Sequence, residues 1–249
     1  MRKKSKNNRP VVLITGAGKG IGRAISQEFG FHNSKHKPRL FLVSRSEDDL
    51  IALAKFCHSQ KIECETMVAD ISNTFELSEI VDSCVSRFGR IDCLVNNAGV
   101  GRFGDFLSFS EQDFDYVMNT NLKGTFFLTQ LVFNQMTKQK SGHIIFVTSV
   151  AATTPFEHSA IYCMSKFAQK GFCEVLRMYG RKSGIRITNV MPGAVETPMW
   201  GKISAKMKKQ MMQPQDIARA VVDSYYLPTR TSVEEIVLRP IGGDIQSSD

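Results

Sequence analysis

The stretch AIYCMSKFA, residues 160–168, sets a phenol and an ammonium four positions apart. An α-helix turns once in about 3.6 residues, so in a helix Tyr162 and Lys166 share a face. A free tyrosine titrates near ~10, too high for much phenolate at neutral pH. A cation held beside the phenol favours phenolate, and each unit of depression corresponds to about 1.4 kcal/mol. Such a pair can exchange a proton with a substrate oxygen. An ordinary surface helix can carry the same two residues by chance, so the pair must be read together with the elements that would position it.

Those elements alternate. VVLIT, RLFLVS, ECETMVA, IDCLVNN, HIIFVTS, IRITNVM and EEIVLRP read as seven strands. Several are near-continuous apolar runs, as expected for strands covered on both faces. The segments between them have helical periodicity; one helix is expected around residues 114–125, with Phe114, Val117, Met118, Asn121, Leu122 and Thr125 on its stripe. Alternation of this kind predicts an α/β fold, a parallel sheet with helices on both faces. There is no internal repeat, low-complexity tract or linker. One domain over residues 10–243 is therefore expected, between a basic flexible tail, 1–9, and a short C-terminal tail, 244–249.

In an open α/β sheet, ligands gather at the C-terminal ends of the strands. The first strand runs into TGAGKGIG, where Gly16, Gly20 and Gly22 let the chain turn tightly and bring backbone amides at a helix N-terminus toward a pyrophosphate. The spacing is not the Gly-x-Gly-x-x-Gly of many dinucleotide folds. The second strand ends at Ser44 and Arg45, with no acid there to accept from a ribose 2′-hydroxyl, and Lys19 adds a second cation in the glycine loop. A 2′-phosphate is favoured at such a place, hence NADP(H) over NAD(H). The third strand ends at Asp70, the fourth in NNAG, the fifth at Ser149, and the sixth in MPG followed by AVETPMW. Asn121 is a polar amide on an apolar stripe. It either holds a structural partner or fixes a water or carbonyl near the active centre.

Composition narrows the class. The chain has 249 residues, 42% hydrophobic and 22% charged, and no apolar run long enough to span a bilayer. No secretory h-region is present, and the six cysteines include no Cys-x-x-Cys pair and no cluster with histidine. Reduced thiols in a cytoplasm, with no metal site, are the expectation. Five of the positive charges behind the net +8 lie in MRKKSKNNRP. This reads as a solubilising tail rather than a nucleic-acid arm, because no second basic block or interleaved aromatics accompany it.

In order and spacing, TGAGKGIG, NNAG, NLKG, Ser149, YCMSK and PGAVETP resemble the short-chain dehydrogenase/reductase family, over about residues 10–242. The resemblance implies a single-domain Rossmann fold and a tetrad of Asn121, Ser149, Tyr162 and Lys166. Tyr162 would protonate the substrate oxygen, Lys166 would bind nicotinamide ribose, Ser149 would hold the carbonyl, and Asn121 would hold a water relaying protons to Lys166. The cofactor set carried over comprises Gly16, Gly18, Lys19, Gly20, Ile21, Gly22, Ser44, Arg45, Asp70, Ile71, Asn97, Ala98, Gly99, Tyr162, Lys166, Pro192, Gly193, Val195 and Thr197. A homodimer or homotetramer is also implied, with Phe167, Phe172 and Leu176 either at the interface or packed on the sheet.

NNAGVGRFG, TSVAAT, HSAIYCMSKF and GAVETPMWGK further resemble the bacterial sepiapterin reductase branch of that family, whose members reduce pterin side-chain carbonyls with NADPH. EEIVLRP followed by GGDI fits the same branch. The substrate would then meet Ser149, Tyr162, Arg102, Phe103, Met199 and Trp200. The lone tryptophan offers a flat ring for stacking or a lid anchor. Two other readings stay open: another NADPH-dependent carbonyl or 3-oxoacyl reductase, and a dinucleotide-sensing module without turnover.

Overall fold

A computed structural model describes residues 9–32 and 37–245. Its strands are β1 (Val11–Thr15), β2 (Arg39–Ser44), β3 (Cys64–Val68), β4 (Cys93–Asn96), β5 (Gly142–Val147), β6 (Ile185–Pro192) and β7 (Glu235–Leu238). They form one parallel sheet in the order β3-β2-β1-β4-β5-β6-β7. Each of the seven expected runs supplies one strand. The chain order reverses between β1 and β4, which opens a crevice beyond their C-terminal ends.

The period-2 geometry of a strand divides the core. Val12 and Ile14 of β1 point to one side, where α1 (Gly20–Phe31), α2 (Glu47–Ser59) and α8 (Pro214–Tyr226) contribute Ile25, Phe29, Leu50, Leu53, Ile217 and Val221. Val11 and Leu13 point to the other, against α3 (Leu77–Phe88), α5 (Thr125–Gln139) and α6 (Ala160–Ser183). Both faces are covered, which is why β1 and β5 read as continuous apolar runs. Two shorter helices are α4 (Glu111–Met118) and α7 (Ala205–Gln210).

Local chemistry sets several helix ends. Ser46 Oγ accepts from the Asp49 N–H, with Glu47, Asp48 and Asp49 in the first turn of α2. Ser110 and Asp113 form a reciprocal cap on α4. The helix expected over 114–125 is interrupted: α4 ends at Met118, and Asn119–Gly124 form a π turn before α5 begins. Gly124 explains part of this break. A Cβ there would lie 2.0 Å from the Ile71 carbonyl oxygen, so the turn is pressed against the backbone following β3.

Residues 1–8 of the basic tail and 246–249 of the C-terminal tail lie outside the described residues. Arg9 is fastened to the body: its guanidinium donates to Glu63 at 2.7 Å and to the Lys37 carbonyl at 2.7 Å. Among the described residues, no helix is long and apolar enough to cross a membrane.

Candidate active site

The glycine loop follows β1 directly. Gly16 and Gly20 have φ of 63° and 55°, the left-handed region that favours glycine. A Cβ on Gly16 would stand 2.8 Å from Ala98 Cα, and one on Gly22 would stand 2.2 Å from the Gly16 carbonyl oxygen. The loop is packed against NNAG by Asn97, whose Nδ2 donates to the Thr15 and Gly16 carbonyls at 3.0 and 3.1 Å. Thr15 Oγ1 accepts in turn from the Asn97 and Ala98 amides. Lys19 is exposed at the N-cap of α1, where no side chain caps the helix and no acid stands in the first turn. Those free amides and that cation suit an anion.

The end of β2 brings Ser44 beside Gly18, whose Cβ would lie 3.0 Å from Ser44 Oγ. Arg45 is half exposed and reaches Asp70 at a long 3.5 Å. A hydrogen bond to Tyr116 raises its guanidinium pKa further, with Asp70 adding to the effect. Asp70 Oδ1 accepts from the Ser72 amide and hydroxyl, which makes it a turn residue as well as a rim acid. An open cleft of about 410 Å³ lies here, lined by Arg45, Val68, Asp70, Glu76 and neighbours. Ile71 is buried.

The four expected catalytic groups lie on different elements. Ser149 follows β5 and caps a short 3₁₀ turn, Val150–Ala152, accepting from the Ala151 N–H at 3.1 Å. Its hydroxyl also hydrogen-bonds the Tyr162 phenol. Tyr162 and Lys166 sit in the first two turns of α6, with Lys166 Nζ 5.5 Å from the Tyr162 ring centre. Burial pushes the Tyr162 phenol up to about 12, opposed by the Ser149 bond, and pushes the Lys166 ammonium down to about 8. Desolvation is the largest influence on the phenol in the cofactor-free protein.

Asn121 lies in the π turn and is fully buried. Its Oδ1 accepts from the Val100 N–H at 2.8 Å, and its Nδ2 donates to the Val100 carbonyl and Ser165 Oγ at 2.9 and 3.0 Å. The side chain thus clamps the loop after β4 to α6. The Asn121 backbone carbonyl accepts from Gln169 Nε2 at 2.5 Å, and Lys166 Nζ donates to Gln169 Oε1 at 3.0 Å. The Gln169 amide thus links the Asn121 carbonyl to Lys166. Gly99 adjoins both, since its Cβ would be 3.4 Å from Asn121 Oδ1 and 3.6 Å from Lys166 Nζ.

The strand-end segment after β6 crosses above the glycine loop. The Gly193 N–H donates to the Leu238 carbonyl at 2.7 Å, and Val195 pairs with Met212. Thr197 Cγ2 stands 3.4 Å from where a Gly20 Cβ would be. Pro192 ends β6, and Pro198–Trp200 form a 3₁₀ turn that leaves Met199 and Trp200 exposed. Phe103 packs near Tyr162, their ring centres 5.5 Å apart. Arg102 turns the other way: it pairs with Asp113 at 3.1 Å and lies over the Tyr116 ring at 4.2 Å.

Matches to known proteins bear on this arrangement. A family model for short chain dehydrogenases matches residues 10–208. The chain belongs to the short-chain dehydrogenase family. It is 56% identical to sepiapterin reductase of Chlorobaculum tepidum over 239 residues, spanning 95% of this chain and 98% of that one. Its structure resembles an alcohol dehydrogenase from the archaeon Thermococcus sibiricus complexed with 5-hydroxy-NADP, with TM-score 0.86, 27% identity, and coverage of 94% and 97%. It also resembles 3-oxoacyl-[acyl-carrier protein] reductase from Brucella melitensis in complex with NAD, with TM-score 0.84, 26% identity, and coverage of 92% and 95%. The chain is accordingly an oxidoreductase of the short-chain dehydrogenase type, acting between CH–OH and C=O.

Gln169, Ser165 and Thr15 were not singled out by the sequence reading. Gln169 had a legible signal. Positions 162, 166, 169 and 173 follow i, i+4, i+7 and i+11, so a glutamine lies on the same helical face as the Tyr–Lys pair.

Proposed function

We propose that this chain reduces the side-chain ketone of a pterin with NADPH, as sepiapterin reductase does. The observation that carries this reading is the 56% identity to that enzyme across nearly both whole chains, with Ser149, Tyr162 and Lys166 gathered at the sheet's C-terminal edge. The residues present fit a phosphorylated dinucleotide. Gly16, Gly20 and Gly22 let the loop turn tightly against its neighbours at the start of α1, the α1 amides and Lys19 would meet the pyrophosphate, and Ser44 and Arg45 would meet the 2′-phosphate. Asp70, Ile71, Asn97, Ala98 and Gly99 line the way to the nicotinamide end, which Pro192, Gly193, Val195 and Thr197 close from above.

When bound, the cofactor supplies hydride to the carbonyl carbon. Tyr162 donates its phenolic proton to the carbonyl oxygen, so the ketone becomes a secondary alcohol. Its raised proton affinity keeps the acid loaded at neutral pH. Ser149 donates a hydrogen bond toward the charge developing on that oxygen. Lys166 holds nicotinamide ribose hydroxyls and, when protonated, favours return of the tyrosine through its phenolate form. Phe103 lies beside Tyr162, and the exposed Met199 and Trp200 offer further apolar surface that would suit a pterin ring. Arg102, paired with Asp113, would shape the wall rather than hold substrate.

Assembly as a homodimer or homotetramer in the cytoplasm completes the reading. Phe172 packs on Phe146 of β5 and Leu176 is buried in the sheet-facing core, which leaves Phe167 as the exposed member of the three. The deciding assay follows NADPH consumption with sepiapterin beside diketones and 3-oxoacyl thioesters. Preference for sepiapterin that disappears in Tyr162→Phe is the expected result. Turnover of diketones or thioesters alone would leave a carbonyl reductase of another specificity, and tight NADPH binding without turnover would indicate a sensing module.

A further inference from the structure

The contact between Lys166 and Asn121 runs through one buried amide, and its orientation is chemically determined. A backbone carbonyl can only accept and an ammonium can only donate. Gln169 must therefore turn Nε2 to the Asn121 oxygen and Oε1 to Lys166 Nζ, as it does at 2.5 and 3.0 Å. A flipped amide would set two donors face to face at one end and two acceptors at the other. Gln169 is 2% exposed and Lys166 3%. Among the described residues, this is the hydrogen bond that Lys166 Nζ makes to protein.

The π turn prepares the other end of the bracket. In a regular α-helix the Asn121 carbonyl would accept from the N–H four residues on, that of Thr125. The Thr125 N–H is bonded to the Leu122 carbonyl. The Thr120 carbonyl likewise accepts from a side chain, Thr125 Oγ1 at 3.3 Å. Gln169, reaching across from α6, donates to the Asn121 carbonyl of this turn.

We propose that Gln169 is a positioning residue for Lys166, fixing its amine against the Asn121 carbonyl and supporting its charged form with a neutral acceptor. This rests on the reading of Lys166 as the partner of Tyr162. Neutrality is the useful property. A carboxylate at this place would stabilise the ammonium more but cancel its field at the phenol, whereas an amide oxygen leaves the positive charge to act on Tyr162 and cofactor.

The groups around Lys166 give it little other electrostatic support. Tyr162 lies one turn back on α6 and the Cys173 thiol two turns ahead; the Cys173 effect, which raises the lysine, is smaller than desolvation. Ser149 from the turn after β5, Asn121 from the π turn and Gly99 from the loop after β4 carry no charge. Removing the Gln169 acceptor should therefore be felt directly in the proton affinity of Lys166.

The test reads that affinity without relying on turnover. Lysine ¹³Cε NMR signals are titrated in the cofactor-free protein, with the Lys166 signal assigned by its loss in Lys166→Met. Gln169→Leu should lower its midpoint by about one pH unit or more, since a hydrogen bond to a charged group is lost. Gln169→Glu should raise it. Opposite shifts in the two folded variants support the proposal; if Gln169→Leu does not fold, the direction in Gln169→Glu decides. An unmoved midpoint in the folded variants overturns it, because a merely space-filling glutamine would leave the lysine's titration alone. Turnover of Lys166→Met is measured separately. Wild-type rates there would remove the catalytic reading of Lys166, and the midpoints would still decide whether Gln169 holds it.

Discussion

Lys166 Nζ lies 5.5 Å from the centre of the Tyr162 ring, and burial has moved the two proton affinities in opposite directions, the phenol to about 12 and the ammonium to about 8. Both shifts favour the uncharged form. The site therefore holds a proton on Tyr162 at neutral pH, while Lys166 beside it is still mostly charged there. That suits a group whose task is to donate when negative charge develops on a substrate oxygen. Tyr162→Phe keeps the ring and its packing on Phe103 but removes the proton. Carbonyl reduction should fall by about 10²–10⁴-fold, while NADPH binding followed by fluorescence changes little. Equal loss of binding and rate would instead assign Tyr162 to cofactor positioning.

The same shifts predict how stability depends on pH. Lys166 binds its proton less tightly in the folded chain than in the unfolded one, so its burial penalty is greatest below about 8 and is relieved as pH rises from about 8 toward 10.5. Tyr162 acts in the reverse sense. Its folded form keeps the proton longer, so its contribution is present below 10 and is lost as pH rises toward about 12. Urea midpoints of the cofactor-free protein at about pH 7.5 and about pH 9.5, both below the phenol's range, test the lysine. Lys166→Met should be more stable than wild type at the lower pH, and that advantage should shrink at the higher one. An advantage independent of pH would mean that packing, rather than the charge, sets the difference.

Arg45 bears on cofactor choice. Its guanidinium is half exposed and tied loosely, by a 3.5 Å approach to Asp70 and a hydrogen bond to Tyr116. A 2′-phosphate offers a stronger, charge-assisted partner. Arg45→Ala should weaken NADPH binding by about 10–100-fold, the size of a lost hydrogen bond to a charged group, and leave NADH binding nearly unchanged. The ratio of the two dissociation constants is the relevant measurement. Equal weakening of both cofactors would place Arg45 in the scaffold, holding the rim through Asp70 and Tyr116.

All seven strands were legible because each is a short apolar run between turn residues, and burial on both faces makes such runs nearly continuous. Strand-end residues such as Ser149, and the glycine loop, were legible from their place after a strand. The π turn was not. Asn121 fits a 3.6-residue stripe, and nothing in its spacing shows that Gly124 presses on the Ile71 carbonyl and widens the helix there. The direction of Arg102 was hidden for a similar reason, since its partners Asp113 and Tyr116 lie on a helix that the sequence does not orient. Gln169 lay between these cases. Its face could be read from i+3 spacing, but its partner is a backbone carbonyl on another element, the π turn, which the spacing does not show.

Gly22 and Gly171 sit in opposite surroundings. Gly22 is buried, and a Cβ there would meet the Gly16 carbonyl oxygen at 2.2 Å with Asn97 Nδ2 at 2.5 Å, so neither backbone nor clamp can yield cheaply. Gly22→Ala should cost about 1–3 kcal/mol of stability and weaken NADPH binding, because the loop that carries the anion-binding amides must shift. Gly171 lies inside α6, exposed, with nothing within 4 Å of a Cβ. Gly171→Ala should stabilise the chain by about 0.5–1 kcal/mol, since alanine restricts the unfolded chain and suits a helix interior. Urea midpoints measured at two protein concentrations check both. Gly171 shares α6 with the exposed Phe167, so a gain that vanishes on dilution would mean that the new methyl acts between copies of the chain rather than within the helix.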